Sequence, residues 1–321
     1  MSPTPSAIAH AEARLRLAAA ASRAARRIWL QVDRDDLYES WLGLLTSVLT
    51  VVAGGQLAAA QAAEPWLEQL LGGDPERPEG DRLDPAALVG VDGSGRPLAG
   101  VLMAPVWSAL RLVTQGAPVA QGMARGQMLL DLVVRTAVAD AGRAADSVAM
   151  ISRPGVTSYV RVLEGGSCSR CLVLAGREYS VSSGFQRHPR CDCGMEPVTR
   201  THRPTPVDAR DVYDQMSTAE RDKTFGKDAV KAIAAGADIA QVVNARRGMA
   251  TATVFGRRVQ ATSEGITRRG LAGRRLRNFQ KQPGQRYRVS QTPRLMPEQI
   301  MRLADDRAHA VRLLRQHAYI L

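Results

Sequence analysis

All four cysteines of this 321-residue chain fall within one short stretch, from Cys168 to Cys193, and a histidine, His188, stands among them. Reduced to donor atoms, the stretch reads C-x2-C-x16-H-x2-C-x-C, through Cys168, Cys171, His188, Cys191 and Cys193. Thiolate sulfur with imidazole nitrogen is the donor chemistry of tetrahedral zinc, and a structural zinc site fills all four positions from the protein. Cys168 and Cys171 are spaced to grip one ion from a single knuckle. The other three return after a loop, and the C-x-C spacing is tighter than the usual C-x2-C. Five donors compete for four places, so the expected set is Cys168, Cys171, His188 and one of Cys191 or Cys193. Two other readings stay open: packed thiols with a capping histidine and no metal, and a Cys–His nucleophile–base pair. Four thiols around one histidine suit a clamp better than a single activated nucleophile. No H-E-x-x-H or G-x-S-x-G sequence is present to anchor the common metalloprotease or α/β-hydrolase chemistry. Cysteines gathered this closely also argue against a secreted disulfide scaffold.

A second group of residues carries charge. The net charge is +12, yet residues 246–321 alone hold seventeen Arg/Lys against four Asp/Glu, so the rest of the chain is near neutral. Arginines recur in pairs, Arg246–Arg247, Arg257–Arg258, Arg268–Arg269 and Arg274–Arg275. Such a segment predicts a polyanionic partner, with a merely solvated basic face as the plainer alternative. Aromatics in it are few, which argues against a base-stacking platform.

The elements that must position these groups are mostly helical. Ala and Leu supply much of the apolar content, and both favour helices. Residues 4–31 predict an amphipathic helix. A second runs over 35–71, broken at Gly54–Gly55 and at Pro65. Within it, 42–63 is an uncharged run of membrane-spanning length, but its Thr, Ser, Gly, Gln and Ala content predicts a packed helix of a soluble protein instead. No signal peptide is expected. Nothing in this N-terminal third clusters titratable groups. Residues 73–84, within the run GGDPERPEGDRLD, read as a linker. The stretch 88–98, with Asp92–Gly93 at its centre, predicts a hairpin or tight loop; it lacks the trailing residues of a phosphate cradle.

Helices are expected over 100–115 and 117–151, then a strand over 156–163. Beyond the cysteine region, Ser217–Glu220 fits a capping box, and short helices are expected over 226–235 and 238–246. Residues 248–294 read as loop or extended arm. A final helix starts at Pro297, with Ile300, Leu303, Ala304, Val311 and Leu314 as its apolar face.

The run CSRCLVLAGREY…FQRHPRCDCGMEPV resembles the Mu F-like minor head proteins of tailed bacteriophages, actinobacteriophage type. The most telling part is the His-Pro-x-Cys-x-Cys element, here His188 to Cys193, followed by a short strand. Residues 89–98, 225–227, 236–238, 243–248 and 264–270 add to the likeness. It covers roughly 85–320, with the N-terminal helices least specific.

The resemblance implies a minor capsid protein acting in head morphogenesis, inside the virion and near the portal, made in the host cytoplasm. The implied partners are the portal protein, the major capsid or scaffold protein, and packaged duplex DNA bound without sequence preference; no membrane is implied. A capsid maturation protease acting on capsid or scaffold is the runner-up, and a zinc-bearing DNA-binding regulator is third. The expected fold is α-rich α+β: an N-terminal helical region (1–72), a linker (73–84), a core with the Cys/His cluster (85–200) and a helical, basic C-terminal extension (201–321).

Overall fold

The computed structural model describes residues 4–72, 82–163, 167–184, 193–205, 207–254, 256–281 and 283–320. It is a helix-rich α+β protein. The chain divides into two compact units: one holds residues 1–167 and 175–207, the other 168–174 and 208–321.

The first unit is a helical bundle carrying a small sheet. Helix α1 (Pro5–Trp29) opens with Thr4 capping the Ala7 amide. Helix α2 (Leu37–Gln61) and α3 (Ala63–Leu71) follow. A one-turn α4 (Leu98–Val101) leads into α5 (Ala104–Thr114) and the 33-residue α6 (Val119–Ile151), which packs on α1, α2, α3 and α5. The helices on the two sides of the sequence-predicted linker thus share one core, including Trp29, Trp41, Val48, Val52, Leu102, Val106, Leu130, Val134 and Val138. Trp29 meets Trp41 edge-on at 4.9 Å. Each buried indole donates to a backbone carbonyl, Met123 and Leu102 respectively, so neither N–H loses its partner on burial.

The break expected at Gly54–Gly55 does not occur: α2 runs through it to Gln61. A Cβ on Gly55 would stand 3.0 Å from Val138 and 3.2 Å from Ala21, so this glycine lets three helices approach. The break at Pro65 is real in a different form, because Pro65 lies in the first turn of a new helix, where its missing N–H costs nothing. By length and composition, residues 37–71 could cross a membrane. In the fold, Trp41, Val48, Val52 and Ala59 of this stretch are buried in the bundle core, while Tyr38 and Leu42 are exposed. The 88–98 loop is tight as expected: Asp92 accepts from the amides of Ser94 and Arg96, both at 2.9 Å. Gln56, buried on α2, holds this loop through Gly90 N and Val91 O.

Strands β1 (Ser158–Val162), β2 (Glu178–Ser180) and β3 (Gly194–Val198) form an antiparallel sheet in the order β2-β1-β3, with Tyr159 opposite Tyr179 and Pro197. Every residue of β1 and β3 is buried.

The second unit begins with the single turn α7 (Ser169–Leu172). It continues with α8 (Ala209–Gln215), α9 (Thr218–Phe225), α10 (Lys227–Ala234) and α11 (Ile239–Ala245). The capping box is present in both halves: Ser217 Oγ accepts from Glu220 N, and Glu220 accepts from Ser217 N at 2.8 Å. The segment expected to be an extended arm is folded. Strands β4 (Met249–Val254) and β5 (Arg257–Thr262) form a hairpin, turned at Gly256 with φ +74°. Helix α12 (Leu271–Leu276) and strands β6 (Phe279–Gln280), β7 (Val289–Ser290) and β8 (Arg294–Leu295) complete it, with β8 on the edge of β5 and β6 paired to β7. Short strands joined by Gly- and Arg-rich turns carry too little periodicity to announce themselves.

The expected final helix is two, α13 (Pro297–Leu303) and α14 (Arg307–Gln316). Asp306 caps α14 by accepting from His309 N, and Leu303, expected on the apolar face, is 40% exposed. Arg294 ties this unit together. Almost fully buried, it donates to the carbonyls of His317, Glu264 and Ala318 and to Gln241 Oε1, with its guanidinium 4.2 Å from the Tyr319 ring centroid.

Candidate functional site

The five expected zinc donors divide between what the structure describes and what it does not. Cys168 stands at the position just before α7 and Cys171 lies three residues on, within that turn; Cys171 is buried and Cys168 half-buried. The turn closes through Leu172 N to Cys168 O at 3.0 Å and belongs to the second unit, where α7 packs on α11. Cys193 belongs to the first unit, directly before β3, and is fully buried. Its carbonyl accepts from Arg143 Nε of α6 at 2.8 Å. His188 and Cys191 lie outside the described residues. Among the described residues, no three His, Cys, Asp or Glu side chains come together as a metal cluster.

Beside Cys193, the first unit holds a buried polar network. Asp146 of α6 is fully buried and receives both His10 and Arg14 of α1, each at 2.8 Å. His10 lies flat on Trp66, with ring centroids 4.1 Å apart and planes 2° apart. A Cβ on Gly142 would come within 2.7 Å of Arg14 Cδ, so α6 makes room for the Arg14 stem by lacking one. Glu196 of β3, also fully buried, accepts from Thr4 N at 3.2 Å and pairs with His202 at 3.1 Å. Burial of charge at this depth is tolerated only with such pairing. The network fastens α1 and β3 to the bundle around the strand that follows Cys193.

The eight arginines expected to meet a polyanion differ in what they do. Arg246 bonds Phe225 O and Glu298, the latter at 2.9 Å, and Arg247 faces Glu264 at 3.8 Å. Arg275 donates to the carbonyls of Arg315 and Ile320, which holds α12 to the end of the chain. Arg257 and Arg258 at the hairpin, Arg268 and Arg269 in the following loop, and Arg274 on α12 are exposed, with no ion pair to any described residue. Arg268 and Arg269 share a concavity of about 780 Å³ with Thr267, Arg286, Tyr287 and Arg288.

A family model described as VG15 protein matches residues 1–219. The chain belongs to the VG15 family. No curated protein and no solved structure matches it. VG15 is a phage protein family, and the chain is in that sense a phage protein. The VG15 match starts at the first helix and so takes in the N-terminal bundle, the part in which the sequence resemblance is least specific. It includes all four cysteines and the His10–Arg14–Asp146 network, ends inside α9, and leaves the basic segment 246–321 beyond it.

Two groups in this VG15 protein escape sequence reasoning. The N-terminal third is expected to cluster no titratable groups, yet His10 and Arg14 meet Asp146. The available signal is their i, i+4 spacing beside the buried stripe of Ala7, Ala11 and Ala18. Arg286, Tyr287 and Arg288 join Arg268 and Arg269 through a bridge between Thr267 and Val289, a pairing that no local pattern announces.

Proposed function

We propose that this VG15-family protein is a minor head protein of a tailed phage, of the Mu F-like kind, acting in head morphogenesis beside the portal with major capsid or scaffold protein. The observation that carries the reading is the family match to a phage protein, with the His-Pro-x-Cys-x-Cys element inside the matched range. The same reading gives the basic C-terminal unit a partner, because the dominant polyanion inside a head is packaged duplex DNA, and arginine binds phosphate with little demand on sequence. Purified heads and procapsids probed for this chain test the reading: presence in few copies supports it, absence contradicts it.

The proposal includes one structural zinc ion, held by Cys168, Cys171, His188 and one of Cys191 or Cys193. The support is the spacing and the donor set. Purified protein is expected to carry about one equivalent of zinc per chain, and Cys171→Ser to lower both metal content and melting temperature. Metal-free protein whose stability ignores chelation would contradict it. His188→Ala is expected to give metal-poor protein of lowered stability. Cleavage of capsid or scaffold that disappears in a His188→Ala protein with fold and metal intact would move the reading to a maturation protease.

A further inference from the structure

In the second unit, residues 267–269 and 286–288 run side by side. Thr267 bridges Val289, and Arg268 N donates to Arg288 O at 3.2 Å. The concavity of about 780 Å³ lies at this junction, with Arg268, Arg269, Arg286 and Arg288 in its walls. None of the four forms an ion pair with a described residue, and all are exposed. Arg246, Arg275 and Arg294, by contrast, are consumed by the fold. Like charges gathered in a concave wall repel one another and focus positive potential into the space between them, which an anion relieves. Guanidinium groups favour phosphate there because their planar fork matches its oxygens.

Tyr287 separates this concavity from a plain anion site. Tyr287 is 56% exposed, and the Arg286 guanidinium lies 5.4 Å from its ring centroid. An exposed ring among arginines offers a π-face to a nucleobase while the arginines take the phosphates on either side. A duplex keeps its bases stacked inside and meets such a ring only with its backbone. Among the described residues the lining is Thr267, Tyr287 and four arginines, a concentration of positive charge that suits phosphates.

We propose that this concavity is a seat for single-stranded nucleic acid, with Arg268, Arg269, Arg286 and Arg288 on consecutive phosphates and Tyr287 stacked on a base. It rests on the nucleic-acid contact of the proposed function and goes further, by naming unpaired strand as the ligand and Tyr287 as a contact. The seat departs, at this one residue, from the sequence expectation that argues against a base-stacking platform in this segment.

The test measures binding of the full chain to three fluorescent probes: an oligothymidylate about twelve nucleotides long, the same backbone without bases, and a duplex of matching length. The seat predicts that the oligothymidylate binds about tenfold more tightly than the abasic strand. Tyr287→Leu should erase that difference and Tyr287→Phe should keep it. The double variant Arg268→Ala/Arg288→Ala should weaken both strands and lower the slope of log affinity on log salt by about 0.7 for each phosphate it ceases to neutralise. Melting curves matching the wild type establish that the variants fold; the comparison of oligothymidylate with abasic strand in the wild type decides without them. Equal affinity for those two strands overturns the seat. Duplex binding that is tight, salt-dependent and untouched by the arginine variants overturns the seat while the DNA contact stands. No binding to any probe overturns both.

Discussion

Replacing Asp146 by alanine is expected to destabilise the N-terminal unit by about 3 kcal/mol, the scale on which one side of a buried charge pair is lost. Asp146 is fully buried, and it is where α6 receives His10 and Arg14 from α1. Removing the carboxylate takes the anionic partner from a guanidinium that is itself buried and leaves a hole between two helices packed through Ala and Gly. Asp146→Asn keeps the volume and one acceptor, so its loss should be smaller. All four tryptophans, Trp29, Trp41, Trp66 and Trp107, belong to this unit, so their fluorescence follows its unfolding in denaturant without interference from the other. A loss under about 1 kcal/mol, the size expected of an ordinary exposed pair, would mean that the network is ornamental to stability.

The second large effect is acid sensitivity of the C-terminal unit. His317 is buried beneath Arg294, its Nδ1 accepting from Leu295 N at 3.3 Å, which requires an unprotonated nitrogen there. Burial, with the neighbouring Arg294 charge adding to it, depresses its pKa from 6.5 to about 4. Above pH 6.5 the ring is neutral in both folded and unfolded chains, and the group makes no pH-dependent contribution. As pH falls from 6.5 towards 4, the unfolded chain takes up a proton that the folded chain refuses, so stability drops, by about 3 kcal/mol once pH 4 is reached. Hydrogen exchange of the α11 and α14 amides, measured across that range, reports it for this unit alone. His317→Gln, which offers the Leu295 amide another acceptor without a titrating ring, should flatten the slope. Superimposable pH profiles for wild type and His317→Gln would show that other groups set the acid sensitivity.

What is legible in the sequence follows the range of the interactions concerned. The helices α1, α6, α10 and α11, the capping box at Ser217, the tight loop at Asp92 and the strand β1 all rest on signals within a few residues, and they stand close to where those signals put them. Gly54–Gly55 misleads because glycine serves close packing between helices as readily as it breaks one, and only the neighbouring Val138 and Ala21 reveal which. The folded state of 248–294 is hidden because it depends on β8 reaching β5 and on Arg294 reaching Gln241 and His317, contacts that cross tens of residues. The same cause keeps Arg286 and Arg288 apart from Arg268 and Arg269 in the sequence. For the same reason, deleting 246–294 would remove β4, β5 and Arg294 and so unfold the unit, whereas point substitutions of the exposed arginines leave its core intact. For the cysteines, the spacing still carries the argument, since His188 and Cys191 lie outside the described residues.

The central claim is that this VG15-family protein is a component of the phage head. The most direct measurement is quantitative mass spectrometry of nuclease-treated virions and of procapsids, with this chain counted against portal and major capsid protein. The account predicts the chain in both particles, at a number of copies comparable to the portal and far below the major capsid protein. Its absence from both, with the protein abundant in the infected cell, would contradict the account.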